Sequence, residues 1–441
     1  MRAGNTVATN RPVQLYLEVS SRCNLRCKKC GFSYDPSLAK TGRDLSWPIL
    51  SRMDDFFRDA VEVFTFGYGE MFLYPELAPP VTVLKNHGCR TSGITNGLLI
   101  RPADVVWLVA TGYDQLSFSI DGATEETMER LRGASLAKIL NVLRLIHEEK
   151  ERRQSEFPRI VVNFVVQNDN YKELPELVRL LAPMKIFFLG VNPLHHFTLE
   201  PGAYAEYYET YRLGKVPRAE WEAVLAEARA EAGKAGIPFD CYVNPDFEWP
   251  ADAPTPEAAV RLHIHRPNEV PLPDAAEPEG ARREAEGGAG GPEPPAASEP
   301  GQPSLPPMYC HYPWTTLYLS AAGTARVCCY MSVHQDLGEF QGDVAKAWNG
   351  PQLQSVREHI KEGRVHPACT ECVVHRSFEL HRAAMNPIRQ ELQVDEFAPQ
   401  PALPPPPVLV EAQVEDRGIR GLLSRIRKRA TRGTDSGATA S

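Results

Sequence analysis

The sequence predicts an α/β chain in which an open (β/α)6 partial barrel is followed by a small α+β domain. Three observations carry that expectation. Strand-like and helical runs alternate from residue 13 to about 194, a Pro-, Gly- and Glu-rich stretch breaks the chain at 244–307, and a second set of cysteines follows the break. Repeated β-then-α order marks a parallel sheet flanked by helices.

The elements follow in order. Val13-Gln14-Leu15-Tyr16-Leu17-Glu18-Val19 alternates apolar and polar positions, as a half-buried strand does, and Glu62–Phe66, Arg90–Thr95, Gln115–Ile120, Ile160–Val166 and Lys185–Val191 supply five more. The clearest helix spans Ser135–Arg152: Ser135 is a capping residue, and Leu136, Ile139, Leu140, Leu143 and Ile146 share one face. Six such units suit a partial barrel whose ligands sit at the carboxyl ends of the strands. Helical tendency continues over 203–235, and Ile237–Val243 reads as a strand, so the first domain is expected over 13–243. Residues 244–307 hold too little apolar surface to offset their ordering entropy and read as a disordered linker. The second domain is expected over 308–380, with a strand at Thr316–Ser320, a turn at Gly323, a second strand starting at Cys328 and a helix around Gln352–Lys361. A Pro-rich and basic tail covers 381–441.

Composition narrows the class. With 441 residues, 43% hydrophobic and 24% charged, the chain can bury a large core, and no apolar run approaches the roughly 20 residues of a membrane span. Residues 1–12 lack the apolar stretch of a secretory signal, so a cytoplasmic location is expected, and ten cysteines in that setting point to metal ligation rather than disulfides. A net charge of −8 argues against a nucleic-acid surface over the whole molecule. The exception is local: Ile419, Leu422, Leu423 and Ile426 share a helical face within the basic stretch 417–432, which suits an anionic surface or acidic partner as well as it suits a frayed tail.

Chemistry concentrates where strands end. Cys23, Cys27 and Cys30 place three thiolates within eight residues after the first strand. Structural zinc wants four ligands, and the nearest histidine in sequence is His87. An iron-sulfur cube held by three cysteines instead leaves one iron open to a ligand that is not protein. Gly67-Tyr68-Gly69-Glu70 follows the second strand, where glycines permit close backbone approach; a plain turn is the competing reading. Thr95-Asn96-Gly97 ends the third strand and Ser117 to Gly122 the fourth; Asp121 and Thr124 also suit a turn and a helix cap, and Arg132 a solvated helix end. In the second domain Cys310, Cys328, Cys369 and Cys372 suit zinc or a fully ligated cluster, with Cys329 a spare core residue. His195 and His196 are adjacent in a strand-like run and point to opposite faces, so a shared metal is disfavoured.

The CxxxCxxC loop, the GxGE motif one unit later, and the run from Ser119-Ile120-Asp121-Gly122 to Arg132-Gly133 resemble the radical S-adenosylmethionine (radical SAM) superfamily. That resemblance implies a 4Fe-4S cluster on Cys23, Cys27 and Cys30 whose open iron is chelated by SAM, with SAM contacts from Gly67, Gly69, Glu70, Asn96, Ser119, Asp121 and Arg132. Two positions depart from the pattern: Lys29 stands where an aromatic residue often precedes the third cysteine, and Met71 replaces a common proline. Cys310 with Pro313-Trp314, Gly323 with Cys328-Cys329, Trp348-Asn349-Gly350 and Cys369-Thr370-Glu371-Cys372 resemble SPASM and twitch extensions, and too few cysteines for a full pair of clusters imply one auxiliary 4Fe-4S cluster on Cys310, Cys328, Cys369 and Cys372. The implied reaction is reductive cleavage of SAM to methionine and a 5′-deoxyadenosyl radical, which takes hydrogen from a substrate. Oxidation or other tailoring of a small molecule or carbohydrate is the expected outcome, with an electron donor such as flavodoxin or ferredoxin. A peptide-modifying maturase and a non-catalytic metal-binding module are the alternatives. No catalytic residue is assigned; His195, His196 and Tyr330 are candidates for a base.

Overall fold

The structure is a computed structural model, and it describes residues 6–34, 42–194, 202–243, 245–249, 310–328, 344–362, 364 and 366–369. Its strands are β1 Gln14–Leu17, β2 Glu62–Phe64, β3 Arg90–Thr95, β4 Gln115–Ser119, β5 Arg159–Val166, β6 Phe188–Pro193, β7 Phe239–Cys241, β8 Thr316–Leu319 and β9 Ala325–Arg326. The helices used below are α1 Asp54–Asp59, α2 Ala78–Asn86, α3 Pro102–Ala110, α4 Glu125–Arg132, α5 Leu136–Arg153, α6 Leu174–Leu181, α7 Ala203–Tyr211, α8 Arg218–Ala235 and α9 Pro351–Lys361.

The nine strands of the described residues join one sheet in the order β7-β6-β5-β4-β3-β2-β1-β8-β9, parallel throughout except for the β8-β9 hairpin. Among the described residues β7 and β9 are its edges, so the sheet is an open partial barrel. Side chains alternate across it. Leu15, Leu17, Val63, Leu116, Val162 and Leu189 enter the main core with the helices, whereas Tyr16, Phe64, Phe66 and Tyr318 form a separate aromatic cluster, with Tyr16 and Phe64 stacked at 4.3 Å between ring centroids. Register sets that second cluster, since Tyr16 pairs with Phe64 on one side and Tyr318 on the other.

Local chemistry explains the helices that frame the strand ends. Ser135 Oγ accepts from Lys138 N to open α5, which buries Leu136, Ile139, Val142, Leu143 and Ile146; Leu140 lies at the margin of this stripe and is half-buried. Thr124 Oγ1 accepts from Thr127 N to open α4, and Gly133, with φ +68°, ends it in the left-handed region that glycine tolerates best.

The structure departs from two sequence expectations. The second strand of the C-terminal hairpin is Ala325–Arg326 and Cys328 lies beyond it, because the tight turn through Gly323 (φ +81°) pairs Leu319 with Ala325 and Tyr318 with Arg326. Residues 245–249, placed by composition in the linker, instead fold back on the segment 212–216 that precedes α8: Pro245–Glu248 make a helical turn, Trp249 Nε1 donates to Val216 O at 2.8 Å, and Gly214 N donates to Glu248 Oε2 at 2.9 Å. A tryptophan with a buried acceptor anchors these few residues against a biased composition. The rest of the expected linker lies outside the described residues, as do the 417–432 stretch, His195, His196, Cys329, Tyr330 and Cys372.

Candidate active site

The three-cysteine loop begins six residues after the end of β1 and is pinned from both sides. Lys28 N donates to Leu131 O at 3.0 Å and the Cys27 thiol to Arg132 O at 3.7 Å, so the carboxyl end of α4 holds the loop's middle. Arg22, just before Cys23, reaches Asp44 through Nε and Nη2 at 3.0 and 2.6 Å and Leu73 O at 2.7 Å. Cys27 is buried, and Cys23 and Cys30 are half-buried. Burial pushes the Cys23 thiol up to about 11, with Cys27 and Cys30 near enough to add to the shift.

Gly67-Tyr68-Gly69-Glu70 leans on that loop. A Cβ on Gly69 would lie 2.3 Å from Ser20 O and 2.5 Å from Arg22 O, and one on Gly67 would lie 2.3 Å from Glu18 Cγ, so both glycines are set by contact with the chain's own backbone and side chains. Glu70 N donates to Arg22 O at 2.7 Å. The buried Glu70 carboxylate accepts from Thr95 Oγ1 at 2.7 Å, Asn96 N at 2.7 Å and Phe72 N at 3.2 Å, which braces the end of β3. Burial raises its pKa, and these donors pull it partly back. Asn96 Nδ2 completes the circuit by donating to Asn24 Oδ1 in the cysteine loop at 2.9 Å.

Asp121, at the end of β4, is 0% exposed in its side chain and engaged on both oxygens. Lys29 Nζ lies 2.8 and 2.7 Å from them, Arg132 Nη1 donates to Oδ2 at 2.6 Å, and Val165 N to Oδ1 at 2.8 Å. Burial would raise the carboxyl pKa, but Lys29 and Arg132 outweigh it and hold it below the usual range. Ser119 sits half-buried beside Asn163 of β5. Thus the residues that the sequence singled out at three strand ends gather around one loop.

Two residues the sequence reading did not single out tie the amino-terminal part of the chain to residues 310–328 and α9. Glu18, 4% exposed, accepts from Tyr68 N at 2.8 Å through Oε1 and from Ala321 N at 3.0 Å through Oε2, so one carboxylate ties the GYGE turn to the β8-β9 turn. Its signal was its place as the polar member that ends the alternation in Val13–Val19. Arg357 on α9 is fully buried, donating to Pro313 O, Thr6 O, Trp348 O and Asn349 Oδ1 at 2.8 to 3.0 Å. Cys310 and Cys369 are half-buried and Cys328 is buried.

A family model for the radical SAM superfamily matches residues 17–181, and one for SPASM, an iron-sulfur cluster-binding domain, matches residues 310–373. Residues 17–181 therefore carry a radical SAM domain and residues 310–373 a SPASM domain. The chain is 30% identical over 188 residues, 42% of this chain and 52% of the relative, to the tungsten-containing aldehyde ferredoxin oxidoreductase cofactor-modifying protein of Pyrococcus furiosus. It is 25% identical over 176 residues, 39% of this chain and 42% of the relative, to mycofactocin maturase MftC of Mycobacterium tuberculosis. The chain thus spans about half the length of the curated relatives it matches. Among solved structures, Streptococcus suis SuiB bound to S-adenosylmethionine shares the fold at a TM-score of 0.51 and 16% identity, covering 82% of this chain and 71% of SuiB.

The radical SAM and SPASM domains imply a 4Fe-4S cluster, SAM and further iron-sulfur ligation, and the site suits them. Arg132 supplies a matching charge: among the described residues its Nε is buried without a hydrogen-bond partner, and against the cost of burial Cys27 and Cys30 both help raise its pKa. A negatively charged cluster at those sulfurs fits there.

Proposed function

We propose that this radical SAM enzyme generates a radical from SAM at the Cys23, Cys27 and Cys30 loop and uses it to oxidise or otherwise tailor a small molecule or carbohydrate. The observation that carries the reading is the docking of that loop against Glu70, Asn96 and Asp121 at the carboxyl ends of β2, β3 and β4. When bound, a 4Fe-4S cluster supplies one electron that splits SAM into methionine and a carbon radical able to take a hydrogen atom. The protein's part is positioning. The cysteine loop presents three thiolates and leaves the fourth ligand site to SAM. Gly67 and Gly69 let the GYGE backbone pack against the loop, and Glu70 supplies a buried carboxylate for a cationic amino group. Ser119, Asn163 and Asn192, half-buried polar residues on the sheet's inner face, supply hydrogen-bonding groups beside it. The cysteines of the SPASM domain, Cys310, Cys328, Cys369 and Cys372, would hold an auxiliary cluster that accepts the electron left on the substrate.

A second reading, modification of a peptide, is favoured by the maturase named among the relatives and by SuiB, whose fold is shared at a TM-score of 0.52 in its structure with the precursor peptide SuiA. One experiment separates these. Protein reconstituted anaerobically should bind two cubes of about four irons each and form 5′-deoxyadenosine from SAM with dithionite, and Cys27→Ala should lose that product. The compound class that raises the yield and leaves two hydrogens lighter, small molecule or peptide, identifies the substrate; wild-type protein that holds only zinc refutes both readings.

A further inference from the structure

Lys29 occupies the position between Cys27 and Cys30 where the family pattern often has an aromatic side chain, and its side chain turns inward. Only 13% of it is exposed, and its ammonium lies 2.8 and 2.7 Å from the two oxygens of Asp121. The backbone on the other side is covered by α7, where Tyr204 OH donates to Lys29 O at 3.3 Å and stacks edge-on with Tyr34. Asp121 already has a second cation, Arg132, and a backbone donor, Val165 N. The carboxylate would therefore stay paired without Lys29. Two cations and one carboxylate meet here, with Glu70 the next acid within electrostatic reach of Arg132. Lys29 and Cys27 also lie within electrostatic reach of each other.

We propose that Lys29 is a positioning residue with an electrostatic role: it fastens the cysteine loop to the end of β4 through Asp121 and, held in that ion pair, places a positive charge within electrostatic reach of Cys27 that favours the reduced form of the cluster the loop holds. This rests on the reading of the loop as a cluster site. The step concerned is one electron passing from an external low-potential donor onto the cluster, with no bond made or broken. Adding an electron increases the negative charge at the sulfurs, so a buried neighbouring cation stabilises the product more than the reactant.

The test is an anaerobic redox titration of the reconstituted holoprotein, following the EPR signal that changes when SAM is added, together with iron content. Lys29→Met should keep its iron, and its ratio of reduced to oxidised cluster at the wild-type midpoint should fall on the order of tenfold, the effect of one unit charge at neighbouring-residue distance in a partly screened interior. Lys29→Arg should restore most of it. Asp121→Asn, which removes the opposing charge, should shift the ratio the other way. A merely structural clamp would lose iron in Lys29→Met while leaving the midpoint of the remaining cluster unchanged, and that result overturns the proposal, as does a shift of the same sign in Lys29→Met and Asp121→Asn. If Asp121→Asn does not fold, the Met and Arg pair decides alone. Wild-type protein without a SAM-responsive signal would refute the cluster reading itself.

Discussion

Glu18 offers a quantitative test of how the two cysteine-bearing regions are joined. Its two oxygens each take one backbone N–H, from Tyr68 at 2.8 Å and Ala321 at 3.0 Å, in a place that water does not reach. A hydrogen bond to an ionised acceptor is worth about 1.5 to 3 kcal/mol, and a buried donor left without one is penalised on the same scale. Glu18→Ala removes both acceptors, so about 3 to 5 kcal/mol of stability should go. Glu18→Gln keeps one acceptor oxygen but turns an amide NH2 toward the other N–H, and about half of that loss is expected. Urea unfolding of the apoprotein reads the total, and amide hydrogen exchange reads the location: Tyr68 and Ala321 should both lose protection in either variant, although they are far apart in sequence. A cost below about 0.5 kcal/mol in Glu18→Gln, or loss of protection at only one of the two amides, would refute the idea that one carboxylate bridges the two turns.

Further outcomes follow from the same geometry. Gly69→Ala brings a Cβ to 2.3 Å from Ser20 O; it should cost about 1 to 3 kcal/mol and weaken SAM binding to the reconstituted protein, measured by equilibrium dialysis. Arg357→Met strands the acceptors Pro313 O, Thr6 O and Trp348 O; a loss of at least about 3 kcal/mol is expected, with faster proteolysis of residues 6–10 than in wild type. Asp104 caps α3 by accepting from Arg101 N at 2.9 Å and pairing with Arg101 Nε at 2.8 Å, which holds its pKa below the ordinary carboxylate value despite burial. Because the folded-state pKa is depressed, its contribution is complete above the unfolded value near 3.9 and lost as pH falls through the folded value. Asp104→Asn should therefore lower thermal stability by about 1 kcal/mol at pH 7 and by much less near pH 2.

The strands and the cysteine loop were legible because their signals are local. A strand announces itself by alternation and a cluster loop by three cysteines in eight residues, whatever the rest of the chain does. Segment 245–249 was not, because its order comes from Trp249 finding Val216 O, a contact that composition does not encode. The start of the hairpin's second strand was misplaced by three residues for a related reason: pairing with β8 sets where the strand lies, and Cys328 lies beyond the last pair.

By itself the sequence determined the class of this protein: a parallel α/β core with thiolates at the end of its first strand and a second cysteine set after the break. Tertiary structure alone decided which charges those thiolates would meet. Lys29, Asp121 and Arg132 span more than a hundred residues, and Glu18 and Ala321 three hundred, yet each group closes on hydrogen bonds of about 3 Å. Such partners are chosen by the parallel sheet, which brings successive strand ends to one rim and lays β8 beside β1. Charges and hydrogen bonds act over a few ångströms in space and take no account of distance along the chain, so this part of the site exists only once the sheet has formed.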